Sequence, residues 1–410
     1  MKKWLECPCC HRKFELNSEY LICPDCSRKS EHYELNVCYD YEHATPAEKN
    51  SLRQTYRSIW GYKSFLPVAD DAQPVTLGEG ATPLTRFLTA EHKGYPQIWC
   101  KNESQNPTWS HKDRLNSVLA TTAKAMEQGK ICCSSTGNHG LSAAAYAGRS
   151  GGKSIILFPP ETPKLMVDLA SSYGAVSVIT EWHARDPMLR HLISKGWFPF
   201  TSPKDSPTSN PYGGEGYKTI AYEIVTDLGR VPDKMLVPVA AGALICGAYK
   251  GFLELKTLGI TDKIPQFVAC QAKGANVLQR AFDAHSHETE RMPGAFSIAT
   301  STREETVGSK ALQVIYESGG SAMVATDYEI QQAMITLGKE GYCAEAASAI
   351  PFACSLQMIE KKELDPEECC VCILTSGGVK SPDILADLRA PAVRIEGSVE
   401  ALEKAVSLYC

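Results

Sequence analysis

From about residue 97 the chain alternates short apolar runs with longer stretches of helical periodicity. Five runs stand out: SIILF at 154–158, VSVIT at 176–180, KMLVPVA at 234–240, QFVACQA at 266–272 and CVCILTS at 370–376. Each is too short for a helix of ordinary length and is rich in aliphatic or β-branched residues, so each predicts a strand. Near-continuous apolar character, without polar alternation, belongs to strands buried on both faces. The interleaved helices then predict open parallel sheets covered on both sides, an α/β architecture. In such sheets ligands sit at the carboxyl ends of the strands, on loops that open the following helix.

Upstream the pattern changes. Residues 36–75 are polar and mixed, punctuated by Pro46 and Pro67, and predict a connecting arm with short helices. Before them, CPCC at 7–10 and CPDC at 23–26 form two Cys-x-x-Cys knuckles. That spacing is a zinc ribbon's: Cys7, Cys10, Cys23 and Cys26 would close a four-sulfur shell around a structural Zn2+, with Cys9 surplus. A degenerate ribbon without metal, or a redox pair, is the competing reading. No internal repeat, heptad run or low-complexity segment is present.

Composition narrows the function classes. With 410 residues, 43% hydrophobic and 22% charged, the chain can bury a sizeable core in two or three domains. A net charge of -5 gives no basic footprint, so neither nucleic acid nor a membrane surface is an expected partner, and a small molecule is. The start MKKWLECPCC has no apolar stretch behind its charges, and no run is long enough to span a bilayer, so a cytoplasmic location is expected. The 17 cysteines belong to a chain too large to depend on a disulfide framework. Cys132, Cys133, Cys369, Cys370 and Cys372 lie in apolar runs and read as buried thiols.

Three loops precede helical stretches: NPTWSHKDR at 106–114, SSTGNHG at 134–140 and PVAAGALICG at 238–247. Each alone is a common kind of turn. Together they meet the needs of pyridoxal 5'-phosphate: an amine, a phosphate cradle and a partner for the ring. Lys112 supplies an amine that burial can activate. Ala240, Ala241, Gly242, Ala243 and Leu244 form a small-residue turn whose amides open a helix, suited to phosphate. Ser135, Thr136, Gly137 and Asn138 open another helix and would offer amides and hydroxyls to a carboxylate, with His139 beside them.

On these motifs the chain resembles the threonine synthase family of fold-type II pyridoxal-phosphate enzymes along nearly its whole length. The family pattern NPTGSFKDR matches NPTWSHKDR and implies that Lys112 is the Schiff-base lysine. Its STGN loop matches Ser135–Asn138, which implies that Asn138 meets the cofactor's 3'-oxygen and that the loop holds the substrate carboxylate. PVAAGAL resembles the PVGGGGL phosphate cradle of related dehydratases. LTSGGVKSP at 374–382 resembles LTGHGLKDP and gives Thr375 the place beside the pyridine nitrogen. EAASA at 345–349 and SNPYGGEGYKT at 209–219 follow in the family's order.

The resemblance implies a ribbon at 1–35, a large cofactor-binding domain at 36–110 and 203–390, a small domain at 111–202 and a helical tail at 391–410. A homodimer is the expected assembly. The reaction implied is elimination or replacement at the β or γ carbon of a small amino acid, with Lys112 as nucleophile and then base. Threonine synthesis from phosphohomoserine stands against a β-elimination or β-replacement on a serine-, threonine- or cysteine-like substrate. A non-catalytic binder is the third reading. Departures from the pattern bear on that choice. Where the family has NPYRLEGQKT, Gly213 replaces the arginine that helps hold the substrate phosphate, which favours a smaller or less charged leaving group. Lys218, Arg303 and Lys310 are the other cations near these motifs. His111 replaces an aromatic and reads either as an acid–base group or as a packed ring, and Trp109 reads as wall.

Overall fold

The computed structural model describes residues 1–16, 20–26, 34–203, 210–388 and 392–407. The middle of the ribbon, Ser209 at the head of SNPYGGEGYKT and both ends of the 391–410 tail lie outside the described residues.

The first 39 residues include a three-stranded antiparallel sheet. Its strands are β1 (Lys3–Glu6), β2 (Lys13–Phe14) and β3 (Asn36–Tyr39), in the order β2-β1-β3. Leu5 is its buried centre, opposite Phe14 on one side and Val37 on the other. The third strand thus lies beyond residue 35, in the segment read as connecting arm. The short helices expected there follow at Pro46–Ser51 and Ile59–Phe65. Thr45 starts the first: its hydroxyl accepts from Glu48 N while the Glu48 carboxylate accepts from Thr45 N, and proline sits at the opening position.

A six-stranded sheet follows, built from β4 (Leu84–Arg86), β5 (Ile98–Asn102), β10 (Lys234–Pro238), β11 (Gln266–Ala272), β12 (Ser321–Ala325) and β13 (Cys370–Leu374). The intervening β6 (Lys130–Ser134), β7 (Lys153–Phe158), β8 (Val176–Ile179) and β9 (Phe198–Pro199) form a second sheet of four. All pairs in the two sheets are parallel except β4 with β5. All five runs expected to be strands are strands. β10, β11 and β13 are buried nearly throughout, which is why their sequences are apolar without alternation.

Strand order decides where a ligand can enter. The large sheet runs β12-β11-β10-β13-β5-β4 and the small one β8-β7-β6-β9. Chain progression reverses between β10 and β13, and again between β6 and β9, so each sheet has a crevice at the carboxyl ends of those strands. The loops after β5, β6, β10 and β13 all open there, and they hold the three motif loops and Thr375.

One buried charge cluster fixes these parts. Arg114 is fully buried; it donates Nε and Nη2 to Glu103, at 2.7 and 2.8 Å, and Nη1 and Nη2 to Glu223, at 2.6 and 2.7 Å. Lys101 joins it with Nζ 2.8 Å from Glu223. Burial alone would raise the Glu223 carboxyl, but Arg114 and Lys101 outweigh it and hold it at about 2. That contribution to stability is complete above an ordinary carboxyl value of 4.5 and is lost as pH falls towards 2. Replacing Arg114 by Met would leave buried Glu103 without its cation and Glu223 with Lys101 alone, and should cost about 3–5 kcal/mol, measured by urea unfolding at neutral pH. A loss below about 1 kcal/mol, the range of exposed pairs, would show that the cluster does not anchor the fold.

Candidate active site

The turn that delivers Lys112 is tied at every polar position. Asn106 Nδ2 donates to Glu103 and its Oδ1 accepts from Gly80 N at 2.9 Å. Asp113 accepts from Thr108 N and from Ser142 Oγ, both at 2.6 Å, which pins the turn to the helix Asn138–Arg149. Trp109 stands at φ 57, the left-handed region that favours glycine, where the family pattern has glycine. Its carbonyl accepts from Gly377 N at 2.9 Å and Lys380 Nζ at 3.1 Å, and these bonds hold the strained turn.

Lys112 opens the helix Lys112–Ala125, half-buried, with no carboxylate at ion-pair distance among the described residues. Burial lowers its ammonium to about 8, with Glu304 and Cys133 acting the other way. Its Nζ lies 3.3 Å from Tyr217 Oη. Tyr217 also stacks on the His111 ring, centroids 5.3 Å apart. His111 Nδ1 is 3.1 Å from the Thr375 carbonyl, which can only accept, so Nδ1 carries the proton. Burial and the adjacent Lys112 push the His111 ring well below its usual value, so it is neutral.

Across the crevice, Gly137 at φ 154 turns the chain into the helix Asn138–Arg149, and a Cβ there would stand 2.4 Å from Met166 Sδ. Ser135 Oγ accepts from Gly137 N at 3.1 Å, while Thr136 is half-buried beside them. Asn138 has its amide engaged: Nδ2 donates to Glu345 Oε2 at 2.8 Å and Oδ1 accepts from Lys380. His139 Nε2 is buried without a hydrogen-bond partner among the described residues, and burial followed by Lys112 lowers the ring to about 3.

Ala240, Ala241 and Gly242 follow β10, and Ala243 and Leu244 begin the helix Ala243–Thr257 without a side-chain cap. Gly242 stands at φ 108, and a Cβ would meet Ala311 Cβ at 2.9 Å. First-turn amides have no acceptor inside their own helix. Thr375 follows β13, buried, with Oγ1 2.9 Å from Ser348 Oγ. The loops carrying Lys112, Asn138, the 240–244 turn and Thr375 therefore open on the same side of the two sheets.

The structure separates the cations named from sequence. Lys218 is fully buried between Glu215 and Glu254, at 2.7 Å from each, Lys310 donates to Asn36, and Arg303 donates to the Ser297 carbonyl. Gly213 is buried, and its Cβ would meet Leu115 Cγ at 2.8 Å and Leu119 Cγ at 3.0 Å, so glycine there serves close packing against the Lys112 helix. In the ribbon, the Sγ atoms of Cys7, Cys10, Cys23 and Cys26 lie within 4.8 Å of one another.

Tyr217 escaped the sequence reading although its signal was present: GYKT stands where the family has GQKT. Glu345 and Lys380 lay inside quoted motifs without a stated role. Arg185, 7% exposed beside β6, lies in no motif.

The family described as pyridoxal-phosphate dependent enzyme matches residues 75–376. Threonine synthase of Methanocaldococcus jannaschii is 35% identical over 379 residues, covering 90% of this chain and 92% of that one. Threonine synthase of Methanosarcina acetivorans is 31% identical over 410 residues, covering 98% of both. The fold is shared with a fungal L-serine ammonia-lyase from Rhizomucor miehei, with a TM-score of 0.67 and 22% identity over 77% of this chain and 99% of that one. It is also shared with a threonine deaminase from Solanum lycopersicum, with a TM-score of 0.64 and 18% identity over 76% of this chain and 88% of that one.

The amine makes a direct prediction. Only the neutral form reacts with aldehydes, so reductive methylation of Lys112 in cofactor-free protein, followed by peptide mass spectrometry, should rise with a midpoint near pH 8. A midpoint at the ordinary lysine value of 10.5 would mean that the cleft is wetter than its packing implies.

Proposed function

We propose, from the premise that this chain belongs to the pyridoxal-phosphate dependent enzymes, that it eliminates or replaces a group at the β or γ carbon of a small amino acid. The observation that carries the reading is the Lys112 amine, half-buried and without a carboxylate partner, between helix openings of both sheets. The residues present fit the cofactor. Gly242 takes a left-handed turn packed so closely on Ala311 that no Cβ fits, at a helix start suited to a phosphate, and Thr375 offers a hydroxyl to the ring nitrogen. Bound there, the cofactor supplies an aldehyde for amines and an electron sink for the bond broken at Cα.

The chain's own groups divide the remaining work. Lys112, with a value near 8, has a neutral fraction at physiological pH large enough to accept the Cα proton. Tyr217 Oη, held above the usual phenol range by burial, stays protonated and accepts from the Lys112 Nζ that it touches. The amides and hydroxyls of Ser135, Thr136 and Asn138 hold the substrate carboxylate, and His139 Nε2 is a polar atom left for the substrate. A neutral His111 packs and orients Tyr217 rather than acting as the base. Thr375 carries no charge, which moderates the electron sink and favours elimination and replacement over transamination. Threonine synthase relatives support the γ-carbon reaction; the fold neighbours alone do not choose between it and β-elimination.

The ribbon cysteines would hold one structural zinc ion. Cys7 and Cys26 sulfurs stand 3.9 Å apart and those of Cys10 and Cys23 3.8 Å. A tetrahedral zinc with ~2.3 Å bonds requires ~3.8 Å between sulfurs. A dimer in the cytoplasm is the assembly and place we assign to it.

Two measurements test these assignments. Borohydride reduction of the coloured holoenzyme and peptide mapping should put the label on Lys112, and Lys112→Ala should lose roughly 10²–10⁴-fold in turnover. Label on Lys250 or Lys380 would refute the assignment. Metal analysis of protein purified without chelator should find about one zinc per chain, lost in a Cys23→Ser/Cys26→Ser variant. Zinc retained by that variant would place the metal elsewhere.

A further inference from the structure

We propose that Arg185 binds an oxyanion at the end of the substrate's side chain, a phosphate or a carboxylate, so that the substrate carries a second acidic group besides its α-carboxylate. The inference rests on the amino-acid reading above and names the substrate class.

Arg185 begins the helix Arg185–Ser194, on the loop after β8 at the ligand side of the small sheet. It is 7% exposed, and among the described residues no carboxylate stands at ion-pair distance from it. One guanidinium nitrogen, Nη1, donates to Ser134 Oγ at 3.3 Å; the Trp182 ring covers the group at 4.4 Å; Nε is buried with no partner. Arginine is almost never buried without a counter-charge, because the stranded cation loses its hydration for nothing. Arg114 in the same chain shows the ordinary solution, with two carboxylates around it.

Its surroundings point towards the reaction space. Ser134 ends β6 and immediately precedes the Ser135–Asn138 loop. Thr201 Oγ1 donates to the Ser134 carbonyl at 2.9 Å, and the next residue, Ser202, has a buried hydroxyl without a partner among the described residues. The bond to Ser134 thus ties Arg185 to the strand end that opens the Ser135–Asn138 loop. An oxyanion there would use the unfilled Nε and the Ser202 hydroxyl, and a guanidinium fork suits phosphate or carboxylate. Gly213, in place of the family's arginine, by itself favours a less charged leaving group. Arg185 supplies a cation from the small sheet's side and reverses that expectation.

Calorimetric titration of the holoenzyme with aminophosphonopentanoate, aminoadipate and norvaline tests the proposal without turnover. These differ in ending with a phosphonate, a carboxylate or a methyl group. At least one oxyanion should bind about ten- to a hundredfold more tightly than norvaline. Arg185→Met should abolish that margin while norvaline affinity stays within about threefold, and the cofactor's visible absorbance checks that the cleft is intact. Wild-type enzyme that binds norvaline as tightly as both oxyanions overturns the proposal even if the variant fails to fold. An Arg185→Met holoenzyme that keeps the preference overturns it too. If none of the three amino acids binds the wild type, the amino-acid reading of the cleft falls instead.

Discussion

The Arg114 guanidinium lies between Glu103 and Glu223 with no exposed surface, and its donors also reach Thr82 and Thr219. Glu103 follows β5, Arg114 lies two residues past Lys112, and Glu223 belongs to the helix Lys218–Leu228. One planar fork therefore joins the end of a central strand, the helix that presents Lys112 and the helix that follows Tyr217. Geometry of this kind resists rotation better than a single contact, because two bidentate carboxylates fix the guanidinium plane. The same cluster explains why glycine is needed at 216: a Cβ there would sit 2.2 Å from the Arg114 carbonyl. Close approach of the two helices brings Tyr217 Oη to the lysine.

Much of this was legible in the chain because burial on both faces writes itself as uninterrupted apolar sequence. β10, β11 and β13 were readable for that reason. β12 was not: its residues are only partly buried and include small ones, Ser321 and Ala322, and a strand at the sheet edge needs no strong pattern. β6 was passed over because its cysteines were read as core thiols; they are, and they are also strand. The motif loops were legible through residue types with a geometric need, such as Gly137 and Gly242 at positive φ. Arg185 was not, since it reaches Ser134 from a segment distant in sequence and only the packing of the small sheet brings the two together.

The departures from the family pattern come together in space. Trp109 takes a backbone conformation that costs a non-glycine residue about 1–2 kcal/mol, and its carbonyl is held by Gly377 and Lys380. His111 and Tyr217, which replace an aromatic ring and an amide, stack on one another. Each would be puzzling alone. As a pair they form one surface against the amine: the imidazole is locked by the Thr375 carbonyl, the phenol rests on the imidazole, and the hydroxyl reaches Nζ. The amide of the family pattern is thereby exchanged for a hydroxyl that accepts from Nζ.

Buried cations in this chain fall into two sets, and the division separates scaffold from site. Arg114, Lys101 and Lys218 each have carboxylates at ion-pair distance and hold helices and strands together. Among the described residues Lys112 and Arg185 have none, and burial lowers the affinity of both for their protons. His111 and His139 respond to the same environment by staying neutral. A cleft with uncompensated positive groups and orphaned polar atoms is costly in the empty protein, and anything that brings negative charge to it is bound in proportion to the relief. A cofactor phosphate, an α-carboxylate and a side-chain oxyanion would each answer part of that imbalance, at the 240–244 turn, the Ser135–Asn138 loop and Arg185. On that proposal the cleft's electrostatics would select acidic ligands through charges that the fold leaves unpaired.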